Sequence, residues 1–425
     1  LAAASRIGAT RRVAIALAVL CWRANRAKWV AAACVLFLAG AWRTVVFPPS
    51  GDEPYMLLSA SSLLRDGGLD LRNDFARGDE RLIHPRSFRD DFLAAHVLPG
   101  RAGEAYNRHG MLLPFLFIPG YAFLGRLGLA ALLAAAWGLL LARLARALAR
   151  SGLPERDGRT ALVLLTIASP LPLFTVFMGP DLPTALLVTL WLAAALDGRR
   201  GAALACVAAL PWVHLKGALL GAGLVLGGTI LHGVAWGAWS AAALAGSLAG
   251  LVGVLHAATP VPAWPPWSVL TYSAGHYNER FDLRNAPRSV LATLFDRHQG
   301  LVHFPLLLLA FAGIVLLWRS RPRLAACAAA AAGPYLLALA CYSQWHGGPG
   351  APGRMLVVVL PLLAFPLAAA VGRLRAARAG RALLAGGLGL GLVASWVLAA
   401  VPALAFVSAK ARLESVAAAK LGVDP

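Results

Sequence analysis

Charged residues are scarce in this chain of 425 residues: 14% are Asp, Glu, Lys or Arg, whereas 59% are hydrophobic. A soluble fold would expose far too much of this apolar surface, so the composition excludes an ordinary soluble enzyme or binding domain. The mean hydropathy of +0.69 and the repeated apolar runs are typical of a polytopic membrane protein.

Cysteine is also sparse, with five residues and no CxxC or other metal-ligand spacing. Four of the five lie in or beside apolar runs, where cysteine usually behaves as a small core residue. The cysteines therefore predict neither a disulfide framework nor a zinc site.

Acidic residues are half as frequent as basic ones, 19 against 39, which leaves a formal charge of +20. Such a charge is also found in proteins that bind nucleic acid, but here the basic residues form short clusters between apolar spans. With the N-terminus inside, the cytoplasmic segments carry 20 basic residues and three acids. The positive-inside rule predicts this orientation, and we expect no nucleic-acid partner.

We predict an all-α polytopic membrane protein with about eleven transmembrane helices, some of them short. If the apolar segment 110–125 crossed the membrane fully, the basic cluster after it would lie on the outer side, so we predict an interfacial or re-entrant helix on the outer face. For the same reason we divide 201–232 into two helices. The predicted spans are 29–46, 127–142, 160–178, 182–196, 201–213, 217–232, 234–255, 301–318, 324–341, 355–371 and 382–406.

The chain divides into a basic cytoplasmic N-terminus (1–28), a transmembrane domain (29–406) and an extracytoplasmic segment (407–425). Arg23 follows the apolar stretch 13–22 where a signal peptide would need small residues, which favours an amphipathic segment over a cleaved signal. The first residue is Leu, and the sequence leaves open whether either terminus is complete. The expected outer loops are about 48–126, 256–300 and 342–354.

Asp52 and Glu53 are adjacent acids at the outer end of the first predicted span. An acid pair at a membrane boundary needs stabilising partners, so it is a candidate functional site. After Pro54, residues 55–64 have the pattern of an amphipathic helix along the membrane surface, which would hold the pair above a cavity.

Three strings resemble segments of the GT-C superfamily of membrane glycosyltransferases, which includes protein O-mannosyltransferases, lipid A aminoarabinose transferases and uncharacterised bacterial members. They are GDEPYMLLSASSLL (51–64), YNRHGMLLPFLFIPGYAFLGRLG (106–128) and WHGGPGAPGRMLVVVLPLLAF (345–365), and the likeness extends over about 29–370. The resemblance implies a GT-C-like fold in a bacterial plasma (inner) membrane, with the active site on the extracytoplasmic face. It implies transfer of a sugar from a polyprenyl-phosphate-linked donor to a glycan, lipid or protein acceptor.

The resemblance also implies that Asp52, the first-loop acid, is the catalytic base. A carboxylate near an acceptor hydroxyl can take its proton as the hydroxyl attacks the anomeric carbon, and this single displacement inverts the anomeric centre. We expect partial burial to raise the pKa of Asp52 toward a useful range. Glu53 is a second catalytic candidate, and its alternatives are binding of a sugar hydroxyl or a salt bridge.

The leaving group would be a lipid phosphate, which requires fixed positive charge. Lys216, Arg354 and Arg108 are the candidates, and snorkelling to the interface is the alternative for Lys216. The candidate substrate-binding residues are Tyr55, His109, His346 and Asp296. Structural roles are the alternative for the histidines, and a solvated loop edge is the alternative for Asp296.

No metal or other cofactor is expected. If a divalent metal is present, Asp181 is the candidate ligand, but this region lacks the D-x-D-type acid pair that some relatives use. Two other functions remain open from the sequence: a transporter or lipid flippase for a glycoconjugate, and a nonenzymatic anchoring protein. The absence of an inverted repeat and the large outer loops argue against transport, and the outer acids and arginines argue against a passive anchor.

Overall fold

The structure is a computed structural model that describes residues 26–46, 49, 52–83, 96–175, 177–260, 281–296, 301–342 and 352–400. Within these ranges most residues are helical, and the only strands are two short ones in an antiparallel hairpin, β1 (Val97–Pro99) and β2 (Ala105–Asn107). The predicted all-α class is therefore confirmed.

The first half of the chain forms nine described helices: α1 (Arg26–Val46), α2 (Glu53–Asp66), α3 (Arg72–Arg77), α4 (Glu80–Ile83), α5 (Leu112–Leu124), α6 (Arg126–Arg150), α7 (Glu155–Ile167), α8 (Asp181–Leu196) and α9 (Arg200–Val213). The second half adds α10 (Gly217–His232), α11 (Val234–Ala258), α12 (Ala286–Phe295), α13 (Pro305–Ser320), α14 (Pro322–Cys341), α15 (Leu360–Arg375) and α16 (Arg378–Ala400). Short 3₁₀ turns occupy Leu171–Thr175, Leu283–Asn285, Leu301–His303 and Arg354–Val359.

Five helical segments in the described part of the chain are long and apolar enough to cross a membrane. They are Arg126–Arg150, Val234–Ala258, Pro322–Cys341, Arg354–Arg375 and Arg378–Ala399. Six further apolar helices are shorter: Ala33–Val45, Leu112–Leu124, Asp181–Leu196, Arg200–Val213, Gly217–His232 and Pro305–Ser320. The count of about eleven spans stays a prediction.

The predicted span 160–178 is wrong as a single helix. Helix α7 ends at Ile167, and a 3₁₀ turn follows at Leu171–Thr175. Pro170 and Pro172 lack backbone N–H groups and cannot continue the helix, which explains the break. Helix α8 then begins at Asp181.

Two other sequence expectations concern short helices. The predicted break within 201–232 is confirmed, because α9 ends at Val213 and α10 begins at Gly217. Helix α5 has 13 residues, about 20 Å at 1.5 Å per residue, which is shorter than the hydrocarbon core of a bilayer. Its length agrees with the interfacial or re-entrant interpretation, which stays a prediction.

The core surrounds the segment Arg354–Arg375, which joins the 3₁₀ turn to α15: 89% of its most apolar window is buried, against 17% in the peripheral α11. Helix α8 packs against α6, α9 and the 3₁₀ turn Arg354–Val359. Helix α2 differs from the predicted amphipathic surface helix, because residues 53–62 are all buried and it packs against α5. Its start is therefore enclosed by protein.

Candidate active site

Asp52 lies at the N-terminal end of α2, where it pairs with a residue 302 positions away. Nη2 of Arg354 donates a hydrogen bond to Oδ2 of Asp52. Gly353 precedes Arg354 with a φ of +73°, a conformation that glycine adopts without strain, and a Cβ there would crowd Pro170. The 3₁₀ turn Arg354–Val359 thus brings the guanidinium to the start of α2.

Asp181 completes this ion cluster from the first residue of α8. Nε of Arg354 donates to Oδ2 of Asp181 at 3.3 Å, and the guanidinium also lies over the ring of Phe177, 5.1 Å from its centroid. Asp52, Asp181 and Arg354 come from three distant elements. Their shared site lies at the ends of α2, α8 and the 3₁₀ turn before α15.

A small cavity borders this cluster, and its lining includes Asp181, Arg354, Lys216, His214 and Tyr335. Lys216 lies between α9 and α10 as predicted, with Nζ 3.8 Å from Sδ of Met355 and 5.7 Å from the ring centroid of Tyr342. The structure therefore brings Lys216 and Arg354 to one cavity.

A second small cavity adjoins the first, and the two share Lys216, Tyr335 and Met355 as lining residues. Its wall is mostly apolar: Leu219, Phe281, Ala338, Leu339 and Tyr342 make up the remainder. The two cavities together place an apolar chamber next to a charged one.

Two histidines face Asp52 from the strand hairpin. Because β1 and β2 pair in antiparallel register from Val97–Asn107 to Pro99–Ala105, the residues that flank the hairpin meet at its open end. Nδ1 of His96 lies 2.5 Å from Nε2 of His109, and the Tyr55 ring stacks on His96 with centroids 3.9 Å apart. Tyr55 and His109 were predicted from the sequence, whereas His96 was missed.

Gly110 fixes the position of His109. Its φ is +124°, and a Cβ there would lie 2.3 Å from the carbonyl oxygen of Val213 at the end of α9. Any other residue would push the loop away from α9 and from His214, which lines the charged cavity. The glycine therefore holds the histidine pair close to the ion cluster.

The expected rise in the pKa of Asp52 is wrong. Burial by itself raises the pKa, but the charge and hydrogen bond of Arg354, with smaller effects of His109 and His96, hold it well below its usual range. Burial lowers the pKa of His96 to about 4 and that of His109 well below its usual value, so both rings are neutral at pH 7.

Glu53, the residue after Asp52, lies in a closed ion pair. Nη1 and Nη2 of Arg43 donate to its two carboxylate oxygens, the first at 2.7 Å, and the N–H of Met178 donates to Oε1 at 2.8 Å. The side chains of Glu53 and Arg43 are both 0% exposed. These contacts favour the salt-bridge interpretation and give Glu53 a positioning role.

The remaining candidates lie at different distances from this cluster. The N–H of Arg108 donates to the His96 carbonyl at 3.1 Å, so Arg108 lies beside the histidine pair. Asp296 follows the end of α12 and lines neither of the two cavities. His346 lies outside the described residues.

No protein-family model, curated protein or solved structure matches this chain.

Proposed function

We propose that this chain is an integral membrane glycosyltransferase with a GT-C-like fold of about eleven spans. It transfers a sugar from a polyprenyl-phosphate-linked donor to a glycan, lipid or protein acceptor on the outer face of a bacterial inner membrane. Asp52 is the general base of an inverting single displacement. The proposal combines the sequence resemblance with the geometry around Arg354.

The observation that carries the proposal is the ion cluster of Asp52, Arg354 and Asp181, in which Arg354 and Asp181 line a cavity and Arg354 binds Asp52. A structural ion pair in a protein core is enclosed, whereas Asp52 keeps 19% of its side chain exposed and Arg354 lines the cavity. Charged groups that border a cavity in an otherwise apolar helical bundle are candidate functional groups by default.

The pair of adjoining cavities suits a lipid phosphate. Lys216 and Arg354 supply two cations at the charged cavity, and Arg354 carries five N–H donors in a fork that matches phosphate oxygens. The apolar cavity that shares Lys216 would receive the first isoprenoid units. Tyr335, whose hydroxyl donates to the Met355 carbonyl at 2.7 Å, stiffens the wall between them.

In the transfer step, the acceptor hydroxyl oxygen bonds to the anomeric carbon while the bond from that carbon to the phosphate oxygen breaks. The hydroxyl proton passes to Asp52, and the lipid phosphate leaves with the bonding electron pair toward Lys216 and Arg354. A phosphate bound to Arg354 also neutralises the charge that depresses the pKa of Asp52. Donor binding would therefore make Asp52 a stronger base when transfer begins.

The test uses the protein reconstituted in proteoliposomes with radiolabelled polyprenyl-phosphate sugars and a membrane extract as acceptor source. Asp52→Asn should lose about 10²- to 10⁴-fold in transfer rate, the usual contribution of a general base, and should keep its fold. Full activity of Asp52→Asn would exclude Asp52 as the base. Flux of a glycolipid across the bilayer without any glycosyl product would favour the transporter alternative.

A further inference from the structure

Asp52, His96 and His109 bring one carboxylate oxygen and two imidazole nitrogens within 4.8 Å of one another. Two histidines and one carboxylate form the ligand set of catalytic zinc sites that keep one position open. Imidazole nitrogens also favour zinc and its transition-metal neighbours over magnesium or calcium. We propose that these three residues bind one divalent transition-metal cation of the zinc type.

The separation of the two rings is compatible with this occupant after a small shift. Nδ1 of His96 and Nε2 of His109 lie 2.5 Å apart and form a hydrogen bond with each other. Two nitrogens bound to zinc at about 2.0–2.1 Å in tetrahedral geometry would be roughly 3.3 Å apart. The rings must therefore separate by less than 1 Å for a cation to enter between them.

The hairpin and α2 hold both rings in place, as an outer shell of hydrogen bonds holds metal ligands. The N–H of His109 donates to Oδ1 of Asn107 at 3.0 Å, and Nδ2 of Asn107 donates to Oγ of Ser59 at 3.1 Å. Tyr55 supports His96 by stacking. The ligand atoms are thus preorganised by groups that do not themselves bind the cation.

Asp52 can bind the cation and accept the hydrogen bond of Arg354 at the same time, because an ionised carboxylate offers about four lone-pair directions. Asp181, the ligand suggested by the sequence, does not belong to this group. The chemical role of the cation rests on the proposed function. The open coordination position of the cation would hold the acceptor hydroxyl oxygen next to Asp52, and the cation would polarise that hydroxyl. The binding site itself does not depend on that function.

The full-length protein, purified in detergent and stripped with EDTA, is titrated with Co²⁺ while its visible absorption is recorded, and Zn²⁺ is then added as competitor. We expect one cobalt per chain and complete displacement by zinc. His96→Ala and His109→Ala should each weaken binding by about 100-fold or more. The control is His256→Ala, an exposed histidine on α11 that should bind cobalt like the wild type.

Gel filtration of each variant reports whether it is folded. If a variant is not folded, the cobalt stoichiometry of the wild type still tests whether the site exists. Binding below one cobalt per chain, or equal binding in the wild type and the folded histidine variants, would overturn the site. Stripped protein that binds no cobalt but transfers sugar through Asp52 would refute the site and leave the proposed function intact. Stoichiometric cobalt binding without transfer from any lipid donor would support the site and count against the function.

Discussion

Asp52 and Glu53 are neighbours in the chain, yet their carboxylates lie in opposite environments. Glu53 and Arg43 form a closed pair with no exposed surface, to which the Met178 N–H adds a third hydrogen bond. Asp52 and Arg354 form an open pair, with 19% and 7% of their side chains exposed, and Arg354 lines a cavity. Successive residues at the start of a helix point about 100° apart, so the adjacent carboxylates of Asp52 and Glu53 can reach different arginines.

The closed pair fits a structural role, and the open pair fits a chemical one. A closed ion pair gives up its solvation to hold two elements together, here α1 and the start of α2, and leaves no space for a substrate. In an open pair the charged groups stay accessible, so a ligand can bind one of them in place of its protein partner. We therefore assign positioning to Glu53 and reaction to Asp52.

The largest effect on stability is expected from Glu53→Gln, which leaves the Arg43 guanidinium buried without a countercharge. Breaking a buried ion pair by removing one partner costs about 3–5 kcal/mol. We expect a much lower thermal unfolding temperature in detergent than for Asp52→Asn, in which Arg354 keeps Asp181. Equal stability of the two variants would remove the distinction between the pairs.

The double variant Arg43→Met/Glu53→Gln sharpens this comparison. It removes both charges, and the glutamine oxygen still accepts the Met178 N–H. Apolar replacement of a complete buried pair is often close to neutral, so most of the lost stability should return. If the double variant is as unstable as Glu53→Gln alone, the damage comes from lost packing and not from an unpaired charge.

A smaller effect is expected at the open pair when its geometry changes but its charge does not. Arg354→Lys keeps a cation and loses the planar fork, so the KM for the lipid donor should rise by about tenfold or more. Lys216→Met should raise the same KM, with Lys216→Arg as the charge-conserving control. An unchanged donor KM in both Arg354→Lys and Lys216→Met would mean that the phosphate binds elsewhere.

The smallest effect concerns pH. Because the folded-state pKa of Asp52 lies well below the usual aspartate value, the open pair stabilises the fold fully above about pH 4. This contribution is lost only as the pH falls through the depressed pKa. The difference in unfolding temperature between wild type and Asp52→Asn should thus stay constant from pH 8 to 5 and shrink in stronger acid. A difference that already shrinks near pH 6 would contradict the depressed pKa.

The sequence predicted those features that depend on local pattern. The apolar runs predicted most helix positions, the break at His214 and Lys216 separated α9 from α10, and the glycine-rich turn marked Arg354 as exceptional. Pro170 and Pro172 are helix breakers, but the mean hydropathy over 160–178 is high enough to hide the break in the helix.

The missed features depend on how distant segments meet. Arg43 lies inside a predicted apolar span, and nothing in its sequence neighbourhood indicates a partner ten residues later. His96 joins His109 because a hairpin closes over 97–107, for which Gly100 and Gly103 between short apolar runs were the available signal. The depressed pKa of Asp52 follows from a contact 302 positions away, which local pattern does not reveal.

The most direct test measures turnover per folded molecule for Asp52→Asn and Glu53→Gln in the same reconstituted preparation, with the folded fraction taken from gel filtration. The account predicts that folded Glu53→Gln keeps turnover within about tenfold of the wild type, whereas folded Asp52→Asn loses about 10²- to 10⁴-fold. A folded Asp52→Asn with wild-type turnover, beside a folded but inactive Glu53→Gln, would contradict it.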